Sequence, residues 1–387
     1  MEFDIVIVGG GLAGLSLAVA LRSSALSVAV VEAGPAPVAP PAPGWDARIY
    51  ALSPANRRFL DGIGVWPRLQ QARIAPVTSM QVFGDAGGRL DFSAYDSGVG
   101  ELAWILESSL LAGELWETAR RQGNVTLFGQ SAPQALALDE AAACLTLADG
   151  KTLRARLVVA ADGADSWTRG AAGIEVEFFP YEEMGVVANF ACELPHRHCA
   201  TQWFREDGAL AWLPLPGERI SMVWSTPDAQ AQELLALPAA DLCARVAAAG
   251  GHALGELSLL TSAAAFPLRL MRAPHRVVPR LALIGDAAHS IHPLSGHGIN
   301  LGLQDSRVLA QVLQERPAHI DCGDQRWLRR YERRRAEETL ALQSLTHALQ
   351  RLFRPRHPAL SWLRNRGLDL TNALPVVRHA LVRYALG

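Results

Sequence analysis

The stretch Phe3-Asp4-Ile5-Val6-Ile7-Val8-Gly9-Gly10-Gly11-Leu12-Ala13-Gly14 decides the fold. Phe3 to Val8 is a short β-branched, apolar run, the pattern of a parallel strand buried on both faces. Gly9, Gly11 and Gly14 follow at GxGxxG spacing. Leu15 to Arg22 then reads as helix, and Val28 to Val31 as a second buried strand ending at Glu32. Strand, glycine turn, helix and strand form a βαβ unit of the size that binds a dinucleotide. Gly9 permits the tight turn, Gly11 lets the backbone approach a pyrophosphate, and Gly14 lets the helix pack on the strand. The free N–H groups at the helix start, around Leu12 and Ala13, face the phosphates along the helix dipole. Glu32 is either a surface acid at a strand end or the acceptor for ribose hydroxyls. An acid there repels a 2′-phosphate, so the tightly held dinucleotide is expected to be FAD or NAD.

Outward from this unit, Leu157–Ala160 and Leu281–Ile284 repeat the buried-strand pattern. Each ends in an aspartate turn, Ala161-Asp162-Gly163 and Gly285-Asp286. Open α/β sheets bind ligands at this carboxyl end. The loop Pro293-Leu294-Ser295-Gly296-His297-Gly298-Ile299-Asn300 then runs into a helix starting near Gly298, whose free N–H groups can stabilise negative charge. Between Leu157–Ala160 and Leu281–Ile284, Gly185 to Thr226 alternates as an antiparallel sheet does. Gly34–Gly44 holds five prolines and reads as loop. Helical patterns fall at Pro54–Leu60, at Ser109–Gln122 and over most of the chain after Gly298. The expected fold is therefore α/β. A discontinuous Rossmann-like domain (1–75, 101–175, 276–315) carries an inserted antiparallel-sheet substrate domain (76–100, 176–275) and a helical carboxyl-terminal region (316–387).

The chain has 387 residues, 50% hydrophobic and 19% charged. That is enough for about two domains with full cores and excludes disordered and collagen-like chains. A net charge of −2 disfavours general nucleic-acid binding. Five scattered cysteines without a CxxC pair argue against a disulfide framework and a zinc site, and for a reducing, cytoplasmic compartment. Ile5–Leu21 is uncharged, but four glycines interrupt it and acids precede it, so it reads as neither signal peptide nor membrane span.

Together, the glycine fingerprint, Asp162-Gly163-Ala164-Asp165-Ser166-Trp167-Thr168-Arg169 and Gly285-Asp286 resemble the class A FAD-dependent aromatic hydroxylases. Arg48–Ser53, Gly64-Val65-Trp66, residues 285–305, Tyr331–Arg335 and Leu363–Leu370 narrow the resemblance to the ubiquinone-biosynthesis branch. The resemblance implies FAD, reduced transiently by NADH or NADPH. Reaction with O2 then gives a C4a-hydroperoxyflavin that hydroxylates the ring of a polyprenyl-phenol or quinol. It implies that Gly9, Gly11, Gly14 and Glu32 hold the ADP half, that Arg48 lies along the flavin side and that Asp286 bonds the ribityl chain. Pro293, Gly296 and Gly298, with Asn300 beyond them, would line the isoalloxazine. Asp162 and Gly163 would serve FAD and the nicotinamide nucleotide.

The branch usually has Gln where His297 stands. If the loop acts through backbone amides the change is neutral; Pro293 and His297 are the candidates if its side chains act. Glu107 lies where many flavin hydroxylases have Arg or Gln and is assigned no role. His289, His292 and His297 fit no metal pattern, and no metal is assigned; His289 reads as a packing or supporting residue. Trp203, Trp212 and Trp224 are either pocket or core. From Arg326 onward 13 arginines face four acids. These are either solvated helix faces or a basic surface for anionic lipid, peripheral to the inner membrane, or for a partner in a biosynthetic complex. Two other functions stay open: hydroxylation of a small soluble aromatic acid, which needs a buried cation such as Arg205, Arg219 or Arg269, and a non-catalytic FAD-binding subunit. The sequence leaves the oligomeric state and the hydroxylated carbon open.

Overall fold

The computed structural model describes residues 1–41, 43–291, 298–353, 358–374, 377–379 and 381–382. The Glu2–Val8 strand lies at the centre of an eight-stranded sheet. Thr152–Ala160 and Val28–Val31 flank it in parallel. Leu281–Leu283 and Val125–Phe128 extend the sheet on either side, also in parallel. The four strands read from sequence are thus joined by Val125–Phe128, which lacks a continuous buried apolar run.

Both faces of this sheet are covered, which explains the unbroken apolar runs. Ile5, Ile7, Val28, Val30, Leu157 and Val159 pack into one cluster with the helices, while Val6, Val8, Ala29, Val31, Val158 and Ala160 pack into another. Fully burying one such side chain is worth about 1.5–3 kcal/mol. The helices are α1 Leu12–Ala20, α2 Pro54–Gly62, α3 Ser108–Arg120, α4 Trp167–Ala171, α5 Asp228–Ala236, α6 Ala239–Ala249, α7 Gly298–Gln314, α8 Gln325–Phe353 and α9 Pro358–Ala373. Helix α1 packs between α3 and α7. It starts at Leu12, three residues before the expected Leu15, because Gly11 is extended and the chain winds directly after it.

A second sheet has nine strands. Glu177–Cys192, Arg219–Pro227, Gly208–Leu215 and Cys199–Arg205 neighbour one another in antiparallel order. Cys199–Arg205 instead pairs in parallel with Ser79–Phe83, and Arg89–Ser93 follows as the outer strand. The parallel pair departs from a purely antiparallel expectation because strand 79–83 enters from an earlier part of the chain, not through a hairpin.

Alternation along these strands sorts the side chains. Val186, Ala188, Phe190, Leu210, Trp212, Met222 and Trp224 pack against α5 and α6, with Trp203 beside them. The three tryptophans are therefore core. Val187, Ala211, Leu213 and Val223 face the other way, toward the dinucleotide domain. No described helix is long and apolar enough to cross a membrane.

Candidate functional site

The glycine turn is shaped by close approaches. Gly9 sits at φ +109°, and a Cβ there would lie 2.3 Å from the Ala161 carbonyl oxygen. A Cβ on Gly14 would lie 2.1 Å from the Gly9 carbonyl oxygen, so the helix cannot sit this close to the strand with a larger residue. A Cβ on Gly11 would meet nothing within 4 Å, and no side chain caps the helix it starts. The N–H groups of α1 thus open onto a smooth backbone surface that suits a pyrophosphate. Glu32 ends the neighbouring strand. Its Oε2 accepts from Gly10 N–H at 2.7 Å and its Oε1 from Gly34 N–H at 2.7 Å. Each oxygen keeps a lone pair for a ribose hydroxyl. Backbone approach at Gly11, helix N–H groups and a ribose acceptor together fit the ADP half of FAD.

Asp162 bonds within its own loop: it accepts from the Ser166 hydroxyl at 2.5 Å and from Thr168 N–H at 2.9 Å. Gly163 follows at φ +85°. Arg169 reaches out of α4 to the carbonyls of Ala287 (3.0 Å) and Ala164 (2.9 Å). It thereby ties the Asp162 turn to the Asp286 turn.

The Gly285-Asp286 turn is held from behind by Asp305, which is fully buried on α7. Asp305 Oδ2 accepts from Gly285 N–H at 3.0 Å and from His289 Nε2 at 2.6 Å; Oδ1 accepts from Arg335 Nε at 2.8 Å. Burial pushes the Asp305 pKa up, but His289, Arg335 and Arg276 outweigh it and hold the carboxyl far below its usual range. His289 is accordingly a support for the turn. From α8, Tyr331 donates to the Leu283 carbonyl at 2.8 Å, just before the same turn. Asp286 is exposed to solvent and lines a cavity. Desolvation raises its pKa, His289 and Arg48 lower it, and Asp305 raises it further; the net direction is upward. Arg48 lines the same cavity, and its guanidinium has no hydrogen-bond partner among the described residues.

Asn300 is spent on the protein. Its Oδ1 accepts from Ser53 N–H (2.9 Å) and Asn56 Nδ2 (2.8 Å), and its Nδ2 donates to the Ala51 carbonyl (2.8 Å). It pins the first turn of α7, with Gly298, against the corner before α2, so its side chain positions the loop. Pro293, Gly296 and His297, with His292, lie outside the described residues.

The cavity, of about 610 Å³, lies between the two sheets. The dinucleotide side contributes Arg48, Tyr50, Asp286, Gly298 and Asn300. The substrate-sheet side contributes Met80, Phe92, Leu213, Val223, Phe266 and Leu268. Arg205 and Arg219 are not on its wall; they bond Asp207 and the Pro216 carbonyl. Arg269 is on the wall but is paired with Asp165. Small residues (Ala51, Ala103, Ala200, Ala211) keep the space open.

Two buried ion networks escaped the sequence. Asp305–Arg335 joins residues 30 apart, and no local spacing announces it. Glu107, assigned no role, is fully buried. It bonds Arg73 Nε at 2.6 Å and Nη2 at 2.8 Å and accepts from Asp46 N–H at 2.7 Å. That holds the segment leading to Arg48.

Residues 2–344 match the FAD binding domain family, and the chain belongs to that family. It is a flavoprotein monooxygenase; FAD, when bound, supplies the electron transfer and oxygen activation of such an enzyme. Among its relatives is the ubiquinone hydroxylase UbiL of Rhodospirillum rubrum, 35% identical over 99% of this chain and 89% of the relative. Another is the 3-demethoxyubiquinol 3-hydroxylase of Escherichia coli, 35% identical over 99% of this chain and 98% of the relative. PqsL of Pseudomonas aeruginosa, solved with 2-aminobenzoylacetate, is similar in structure: TM-score 0.78 at 25% identity, over 95% of this chain and 99% of that one.

Proposed function

We propose that this protein hydroxylates the ring of a polyprenyl-phenol or quinol intermediate of ubiquinone biosynthesis, using NADH or NADPH and O2. The observation that carries this reading is the cavity wall. Among the described residues its substrate-sheet side is mostly apolar, with Thr201 and Gln202 as the polar exceptions, and its one arginine, Arg269, is paired with Asp165. A prenylated ring gains from that surface, whereas an aromatic carboxylate seated against it would meet no unpaired cation among the described residues, since Arg48 lies on the cofactor side. The two relatives named as ubiquinone-pathway hydroxylases support the same reading.

Gly9, Gly11, Leu12, Ala13 and Gly14 hold the pyrophosphate through backbone N–H groups, and Glu32 holds the adenosine ribose. Asp286 accepts from the ribityl chain, and Arg48 and the start of α7 at Gly298 offset negative charge on the isoalloxazine. Asp162 and Gly163 shape the loop that the nicotinamide nucleotide meets. The apolar wall excludes water from the reacting ring and orients it. A substrate of this kind is met at the inner membrane or on a partner of the biosynthetic complex.

The test is NAD(P)H oxidation by the purified holoprotein, with product analysis. A prenylated phenol is expected to stimulate oxidation and to gain one oxygen, while benzoate-type acids do neither. Stimulation by the acids alone would assign the soluble-substrate function. Flavin reduction with no hydroxylated product from either class would point to a non-catalytic FAD-binding subunit.

A further inference from the structure

Ten of the eighteen large apolar side chains exposed among the described residues fall between Leu340 and Leu381. Helix α9 holds the most exposed of these ten, and it is built inside out. A surface helix normally turns its apolar stripe inward. The inward face of α9 is Ser361, Arg364, Asn365, Leu368 and Asn372, four of them polar.

The inward face has a clear task. Arg89–Ser93 is the outer strand of the nine-stranded sheet, and its backbone N–H groups need acceptors. Asn365 Oδ1 accepts from Ala86 (3.1 Å) and Gly88 (2.8 Å), Asp369 from Arg89 (3.0 Å) and Asn372 from Asp91 (3.0 Å). Arg364 pairs with Asp85 in the turn before that strand. The polar face is thus used up on the sheet edge.

The outward face has no such use among the described residues. Trp362 is 63% exposed, Leu363 57% and Leu370 63%. Beyond the end of α9, Leu374, Val377 and Leu381 are exposed as well. Leu381 and its neighbour Val382 also line the cavity, so these exposed side chains lead to the substrate wall.

Charge selects the occupant. From Arg351 to the end of the chain, seven arginines stand against one acid, Asp369, and one of the seven, Arg364, is spent on Asp85. Arg366 is exposed within the row, between Leu363 and Leu370. A second copy of the chain meeting this face would set arginine against arginine. A row of leucines with a tryptophan and flanking arginines matches a helix lying in the headgroup plane of an anionic bilayer.

We infer that the outward row of α9 docks the protein on an anionic membrane surface, next to the cavity wall at Leu381. The link from docking to substrate supply rests on the prenylated-substrate reading above.

The test is flotation of the holoprotein with vesicles of phosphatidylcholine alone or mixed with phosphatidylglycerol. Wild type is expected to float with the mixed vesicles and to release as salt rises. The triple variant Trp362→Ser/Leu363→Ser/Leu370→Ser is expected to bind at least about tenfold more weakly, with FAD content and urea midpoint unchanged. Its turnover of a long-chain prenyl-phenol held in vesicles falls, while that of a short-chain, water-soluble analogue stays. Wild type that fails to float, or a variant that floats equally well, overturns the inference. So does a variant that changes only from dimer to monomer on size exclusion, since the row is then an interface between copies. If flotation behaves as expected but neither analogue is turned over, the docking surface stands and the substrate reading falls.

Discussion

Asp305 concentrates more of the site's organisation than any residue that faces the cavity. It is fully buried and joins the Gly285 N–H, His289 and Arg335 at one carboxylate. Removing one partner of a buried ion network leaves the others uncompensated, at a cost of about 3–5 kcal/mol. Asp305→Asn is therefore expected to lower stability by that order in urea unfolding. It is also expected to weaken FAD retention on gel filtration, because the Gly285-Asp286 turn loses its anchor. An unchanged urea midpoint would show that the network is not what holds the turn. The sequence pointed to Asp286 because it ends a buried strand. It could not point to Asp305 or to Glu107, because an acid inside a helical or strand pattern looks the same whether it meets water or a buried arginine. Asn300 was read as a flavin-loop residue by its place after Gly298; it lines the cavity, and its side chain ties the loop to Ser53 and Ala51.

At the scale of elements, the βαβ unit was legible because each signal is local: an apolar run, glycines at fixed spacing, an acid at a strand end. The sheet face was half legible. Alternation over Gly185–Thr226 announced strands, but not which face met helices α5 and α6 and which met the cavity, and so the tryptophans stayed ambiguous. Helix α9 was not legible as an edge cover, since its partner strand lies about 280 residues earlier. The clamp that seats it is testable by pH. The Arg364 side chain, opposed by burial and assisted by Asn365 and Ser361, lowers the Asp85 pKa from 3.8 to about 2. A depressed carboxylate stabilises the fold above its unfolded pKa and loses that contribution as pH falls toward its folded pKa. Wild type is therefore expected to exceed Asp85→Asn by about 1–2 kcal/mol above pH 4, with the difference closing between about pH 4 and about pH 2. Parallel urea midpoints measured at several pH values check this; a difference independent of pH would contradict it.

In the whole molecule, two sheets enclose one cavity of about 610 Å³. One wall carries the cofactor turns and the other is mostly apolar, with the single arginine among its described residues already paired. On the proposed function, that asymmetry favours a ring with a hydrocarbon tail over a ring with a carboxylate, and it exists only when distant strands come together. Composition and charge carried no trace of it. The most direct test is mass spectrometry of the quinone lipids in a strain lacking this gene. The predicted result is a depleted ubiquinone pool and accumulation of a prenylated phenol missing one ring oxygen, which also names the carbon. An intact ubiquinone pool with no such intermediate, in a strain with no second hydroxylase of this family, would contradict the assignment.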